Sequence, residues 1–357
     1  MLRSTLRPAP RRAFTLIEML TVIGILAIVM AIVIPAMNSA RRTAKMTDTR
    51  ATLASLQQAV NSFQTDNRKD PGYFGPRLMG AQYNRTTAGF TSMDNIMLDL
   101  MGGIVASNAT GQGIFAVGPG APGSGQVMLD LGGFGATRQQ GSSIVRNYFV
   151  ADAKKMVAQD PLKNQRFGSG AVSQSDPTAI VPSLVDAFGQ PILAWQQDVA
   201  APAGYTGAST FAEIDAPAAN AVTGFAQFYW SQNAGFLDTS IKLGRLGEAQ
   251  SFAAGGSLLA LNNNSAVTPP TNPTTVARTA TMWALLGNPA ASDLSDTSAN
   301  GRPAAARGPI VFHSAGPDGV FVGNRDRGGA SGVVVYKKNQ DPFNGVLFDD
   351  QIMGAGN

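Results

Sequence analysis

The 357-residue chain has no cysteine and a single histidine, His313. The first absence excludes disulfides and every thiolate nucleophile or metal ligand; the second excludes a His-rich metal centre. Glutamate occurs only at Glu18, Glu213 and Glu248, and no nucleophile elbow or Walker loop is present. The run Gly118-Pro119-Gly120-Ala121-Pro122-Gly123 matches the dinucleotide fingerprint in form, but its prolines and the lack of a following helix make it a turn-rich loop. The chain is therefore expected not to be an enzyme. With 40 glycines and 21 prolines it is loop-rich. At about 17 % together they stay below the roughly 25–30 % of disordered chains, so a folded domain with long connections is expected.

What the chain does have is one membrane-length apolar run. From Phe14 to Ile34 the only charge is Glu18. At 1.5 Å per residue this stretch reaches about 31 Å, the thickness of a bilayer's hydrocarbon. Ahead of it lie Arg3, Arg7, Arg11 and Arg12 with no acidic residue, which holds the N-terminus in the cytoplasm and sends the remainder outside. Burying one carboxylate in such a helix costs several kcal/mol unless it meets a partner, so Glu18 is a candidate functional residue. The residues after the run, Val33-Ile34-Pro35-Ala36-Met37, fit a signal-peptidase site poorly. The small residue, Ala13, comes before the run instead.

Arg11-Arg12-Ala13-Phe14-Thr15-Leu16-Ile17-Glu18 resembles the prepilin leader of type IV pilins and type II secretion pseudopilins. The resemblance implies that a prepilin peptidase cuts between Ala13 and Phe14 and methylates the new N-terminus. With Phe14 as first mature residue, Glu18 is fifth and Pro35 twenty-second, where the family has its Glu and a helix-kinking Pro. Ala13 departs from the family's usual Gly. Cleavage would give Glu18 a partner: the amine of a neighbouring subunit's Phe14, at the same depth in the membrane. It would also remove four arginines, taking the 27 basic residues to 23, equal to the 23 acidic ones. A nucleic-acid partner is not expected, and the local basic set Arg41, Arg42, Lys45 and Arg50 reads as a solvated face or a headgroup contact.

Beyond Pro35 the apolar spacing continues through Ala40, Ala44, Ala51, Ala54, Leu56, Val60 and Phe63. A single helix from Phe14 to about Asp66 is expected, kinked at Pro35, stopped before Asp70-Pro71-Gly72, with its second half packed under a sheet. Residues 72 to 140 read as loops and short strands, including Ile114 to Val117 and Val127 to Leu131. The spacing of Val145, Tyr148, Phe149 and Met156 predicts a short second helix over 143–159. Val185 to Trp195 reads as a tight turn opening into a strand and resembles the Asp-Pro-Trp-Gly-Asn-Pro phrase of major pseudopilins. Residues 200–305 read as an insertion, with an aromatic strand at Phe225 to Trp230 and a helix around Thr279 to Leu286.

Near the end of the sequence the strand-like Ile310-Val311-Phe312 leads into His313-Ser314-Ala315-Gly316-Pro317-Asp318-Gly319, and Asp349-Asp350 follow a second apolar run. Oxygen donors on Gly-rich turns suit Ca²⁺ or are simply Asp-Gly turn residues. His313, just after an apolar strand, reads as a satisfied structural residue rather than a base. The resemblance to the C-terminal loop of major pseudopilins implies Ca²⁺ held by Asp318, Asp349 and Asp350, with Ala315 offering a backbone carbonyl. Arg325 and Arg327 depart from the family's acidic loop.

These readings predict an α+β, pilin-like protein: a long N-terminal helix on a small antiparallel sheet with a large loop-rich insertion. Its parts are a leader (1–13), a transmembrane helix (14–35), an amphipathic stem (36–70), a globular region (71–199), the insertion (200–305) and C-terminal strands with a calcium loop (306–357). By the resemblance it is a pseudopilin of a type II secretion pseudopilus, anchored in the inner membrane with a periplasmic domain. Its partners would be other pilin-like subunits, the prepilin peptidase and an inner-membrane assembly platform. A type IV pilus or minor tip subunit with a binding domain is a second reading. A membrane-anchored domain that never polymerises is a third.

Overall fold

The computed structural model describes residues 15–79, 90–119, 125–135, 138–140, 143–145, 147–157, 159–160, 165–166, 181–200, 211–213, 225–233, 282, 285–288, 305–316 and 351–356. The chain divides into two units, 1–45 and 46–357.

The described part of the first unit is the beginning of helix α1 (Leu16–Asn67). Large apolar side chains point outward on every side of it: Leu16 is 83 % exposed, Ile28 65 % and Ile32 68 %. Pro35 lies inside α1, and the helix is continuous across it.

The second unit begins with the rest of α1, which is amphipathic. Thr49, Thr52, Leu53, Leu56, Ala59, Val60 and Phe63 recur at three- and four-residue steps and are buried, the spacing that puts side chains on one helix face. The helix ends as Arg68 turns left-handed (φ 55°) and its N–H donates to the Gln64 carbonyl at 2.8 Å. Asp70 and Pro71 follow, so the stop falls where the sequence places it.

A second helix exists, but not over 143–159. Helix α2 is Ser92–Met101, in a stretch read from sequence as loops and strands. Its local signals are complete. Thr91 and Asp94 form a capping box, and Gly102 closes the other end at φ 70°. Met93, Ile96, Met97, Leu100 and Met101 then pack with Leu53, Leu56 and Val60 of α1. Residues 143–145 instead pair as a strand with 138–140, and Met156–Val157 pairs with Ser183–Leu184. The apolar residues between them clamp other elements. The N–H groups of Tyr148 and Phe149 both donate to the Leu100 carbonyl (2.9 and 3.1 Å), and the Tyr148 ring meets Phe63 edge-on at 5.1 Å. Helical spacing here was a coincidence of residues recruited by separate partners.

Three-stranded sheets carry the remaining core. In one, Val127–Asp130 lies between Ile104–Val105 and Ile114–Val117, all antiparallel. Val117, Val127 and Leu129 pack there with Phe74, Met79, Phe90 and Leu98. In the other, Ile310–Ser314 lies between Ile192–Gln196 and Gln351–Ala355, again antiparallel, with Ile192 opposite Ser314 and Ser314 opposite Gln351.

That central sheet is covered on both faces. Ile192, Ala194, Ile310, Phe312 and Ala355 belong to the core that contains α1 and α2. The alternate residues Leu193, Trp195 and Val311 point to a second core with Phe211, Phe228, Trp230, Met282 and Leu286. Two-sided burial explains why Ile192–Gln196 and Ile310–Ser314 are buried at all five positions. Part of 200–305 is therefore core: Ala212–Glu213 pairs with Phe228–Tyr229, and Gly287–Asn288 with Ala305–Ala306. The expected strand over Phe225 to Trp230 is shorter, because Trp230–Asn233 turns into a 3-10 helix. Side chains of that turn serve the edge of the sheet: the Gln232 amide bonds both backbone groups of Gln196 (2.9 and 2.7 Å) and Asn233 donates to the Ala194 carbonyl at 2.9 Å. Helical residues at Met282, Leu285 and Leu286 agree with the helix expected around Thr279 to Leu286. A partly buried ion pair, Arg77 Nε to Asp198 Oδ2 at 2.5 Å, ties the turn after α1 to the end of the 192–196 strand, and the Tyr229 hydroxyl donates to the same oxygen at 3.0 Å.

Candidate functional site

Glu18 lies in the first turn of α1, and Thr15 precedes that helix. The Thr15 N–H and hydroxyl both donate to Glu18 Oε2 at 2.8 Å, and the Glu18 N–H donates back to Thr15 Oγ1 at 3.3 Å. This is a reciprocal capping box, in which a Ser/Thr cap and the Glu three residues on satisfy each other's orphan donors. The carboxylate thus has a local partner that the sequence reading overlooked, although Thr15-Leu16-Ile17-Glu18 spells the motif. Glu18 is exposed, and among the described residues its Oε1 accepts no hydrogen bond. One carboxylate oxygen fixes the helix start while the other stays open to a cation.

Ala13 and Phe14, the expected cleavage pair, lie outside the described residues. Pro35 is in α1 and exposed. Around the helix between Glu18 and Arg41 no other charge occurs. Among the described residues, α1 is the helix long and apolar enough to cross a membrane, as a single-pass anchor requires.

At the expected calcium loop, Asp318, Asp349 and Asp350 lie outside the described residues. Ala315 is fully buried at the end of its strand and is followed by Gly316 at φ 66°. The rung Ser314 to Gln351 marks where the chain leaves the sheet and where it returns. Ala315 follows that rung in sequence and Asp350 immediately precedes it. Among the described residues no three carboxylate or imidazole side chains gather as a metal set. His313 is fully buried in its strand.

Next to this rung lies Asp186, in the turn that resembles the major-pseudopilin phrase. It accepts the N–H groups of Phe188 (2.8 Å) and Gln190 (2.9 Å) and the Ser314 hydroxyl (2.7 Å), while Gly189 takes φ 87°. An Asp at the head of a turn bonding the amides beyond it is what the Asp-x-x-Gly spacing prescribes. Burial pushes its carboxyl up to about 6 despite those donors. The turn is structural: it opens the 192–196 strand and pins it to its neighbour.

Residues 9–34 match the prokaryotic N-terminal methylation motif. No curated protein and no solved structure matches the chain. The motif implies processing by a prepilin peptidase and assembly with other pilin subunits. With that motif at its start and a long apolar helix continuing from it into an α+β domain, the chain fits the type IV pilin-like and pseudopilin family.

Proposed function

We propose that the protein is a structural, non-enzymatic subunit of a type II secretion pseudopilus. The observation that carries the assembly part of this reading is the pairing of an apolar helix exposed on all sides with a first-turn carboxylate bonded through only one of its oxygens. Before assembly the helix rests in the inner membrane, with the N-terminus cytoplasmic and the folded domain periplasmic. Cleavage between Ala13 and Phe14 creates an N-methylated amine. As subunits join, Glu18 Oε1 meets that amine on the neighbouring subunit, and two charges that hydrocarbon disfavours neutralise each other. The Thr15 bonds hold the carboxylate in place without consuming it.

The secretion role, as opposed to a surface pilus, is supported by the resemblance of the 185–195 turn and of the C-terminal loop to major pseudopilins. Ca²⁺ belongs to the same reading, with Asp318, Asp349 and Asp350 as side-chain ligands and the Ala315 carbonyl beside them. When bound, the ion would neutralise carboxylates and staple the loop to the sheet of a chain that has no disulfide. The chain's contribution is to start and end that loop at one rung, Ser314 to Gln351.

Mass spectrometry of the mature N-terminus tests the pathway: methyl-Phe14 is expected, and an intact leader would refute it. Cysteines placed in the stem should give cross-linked ladders in vivo. Glu18→Ala should abolish those ladders while leaving the melting of the folded domain unchanged. A single cross-linked species in the unsubstituted chain would favour an anchored domain that never polymerises. Chelation should lower the melting temperature if Ca²⁺ is structural, and an unchanged melt counts against the ion.

A further inference from the structure

The folded unit carries a cavity of about 650 Å³ between the end of α1, the turn that follows it and the residues after the 192–196 strand. That volume is within the range of small-ligand sites, roughly 300–1,000 Å³. Arg68 lines it. This residue holds a left-handed backbone (φ 55°), unusual for a residue other than glycine, which places its side chain at the helix end. Its guanidinium has no ion pair or side-chain hydrogen bond among the described residues.

Neither neighbouring acid pairs with it. Asp70 is bonded by the Gln64 amide, a neutral donor that leaves its charge in place. Asp99 is held by Lys69 at 3.1 Å and by the Gly72 N–H at 2.8 Å. The turn itself is fixed: a Cβ at Gly72 (φ 144°) would lie 2.5 Å from the Gln196 side chain. The cavity thus has a rigid wall and, in Arg68, a guanidinium whose donors are unbonded among the described residues.

Its rim is apolar. Beyond the α1 anchor, the large hydrophobic side chains exposed among the described residues are Tyr73 (50 %), Val150 (72 %) and Val199 (83 %), and two of these three line this cavity. Gln64 and Gln197 also line it, and among the described residues neither side-chain carbonyl oxygen accepts a hydrogen bond. A planar fork for a carboxylate, two apolar contacts and amide acceptors for N–H groups match one kind of ligand.

We propose that this cavity binds a peptide carboxylate that adjoins an apolar residue, with Arg68 taking the carboxylate and Tyr73 and Val199 the apolar side chain. The carboxylate comes from a chain terminus or from an acidic side chain. The site is independent of the N-terminal assembly contact, since no residue of it lies in the anchor.

Isothermal titration of the mature full-length protein in detergent tests it, with N-acetyl-leucine as the terminal-carboxylate probe and N-acetyl-leucyl-aspartyl amide as the side-chain probe. Saturable millimolar binding of either is expected, and whichever binds more tightly identifies the source. N-acetyl-leucinamide, which lacks the charge, and acetate, which lacks the apolar group, should each bind at least about tenfold more weakly. Arg68→Gln should lose about tenfold in affinity, Arg68→Lys less because a point charge replaces the fork, and Val199→Ser several-fold. Both side chains are exposed, so melting temperatures should not move. Absence of saturable binding by both probes, equal binding of acetate, or undiminished binding by Arg68→Gln would each overturn the proposal.

Discussion

Helix α1 holds two stretches that are chemically close and physically opposite. Between Leu16 and Met37 its large apolar side chains are about half to four-fifths exposed, whereas Leu53, Leu56 and Val60 are fully buried. Burying such a side chain stabilises by about 1.5–3 kcal/mol. The later stretch obtains this from strands more than 100 residues away, at Ile192–Gln196 and Ile310–Ser314. The earlier stretch stays exposed among the described residues. The difference teaches that one secondary structure can belong to two solvents: the stem is defined by its own fold, and the anchor by what surrounds it, lipid first and other subunits after assembly.

The largest expected effect breaks the buried side of this comparison. Leu56 is fully buried among α1, α2 and the central sheet. Leu56→Ala should lose the transfer free energy of the removed atoms and leave a cavity, destabilising the folded unit by about 2–5 kcal/mol. Thermal unfolding in detergent followed by near-ultraviolet circular dichroism measures this. A loss under about 1 kcal/mol would mean that the stem is not part of the cooperative core.

Much of this architecture is legible in the sequence, and the misses have physical causes. The ends of α1 follow from an apolar run with a stop at Asp70-Pro71. Short β-rich runs at 114–117, 127–130, 192–196 and 310–314 announce themselves because each is bounded by turn residues. Helix α2 was equally legible: Thr91, Asp94 and Gly102 are its start and stop signals. The glycines that flank it, Gly80, Gly89, Gly102 and Gly103, give the stretch the composition of a loop. The helix expected over 143–159 failed for a different reason. Tyr148 and Phe149 are apolar because α2 and Phe63 need covering, so the helical period they form with Val145 and Met156 is incidental. The second core, built from 211, 228, 230, 282 and 286 against Trp195, depends on contacts that no single segment encodes. At the candidate sites, Glu18 stands out by its isolation in an apolar run. The Arg68 cavity does not, because Arg68, Tyr73 and Val199 meet only after the sheet forms.

A smaller effect sharpens the comparison through charge. Among the buried carboxyls of the described residues, desolvation raises Asp94 and Asp186 to about 6 although Thr91 and Ser314 bond them. An unfolded Asp titrates near 3.9. The native state therefore keeps these protons to a higher pH than the unfolded state does. Their contribution is fully present below about pH 4 and is lost as pH rises through about 6, by about 3 kcal/mol per group. Denaturant unfolding between pH 4 and 7 should show stability falling over that window. Asp94→Asn preserves an acceptor for the Thr91 N–H and should flatten the slope by roughly half. A slope unchanged in the variant would remove Asp94 from the account.

The smallest expected effect is the most discriminating. Ile28 is 65 % exposed in the anchor stretch, so Ile28→Ala removes three carbons of the same kind as Leu56→Ala but opens no cavity in the folded unit. The melting of that unit in detergent should shift by less than about 0.5 kcal/mol, the range of surface substitutions. The lost apolar surface should register elsewhere, as weaker retention in the membrane, at about 0.8 kcal/mol per methylene equivalent. Comparing the two variants by the same near-ultraviolet signal separates the solvents that the two stretches occupy. If Ile28→Ala cost as much folding stability as Leu56→Ala, the anchor would be core in disguise. A membrane helix whose only local bond to a charge is the Thr15 cap on Glu18 would then lose its rationale.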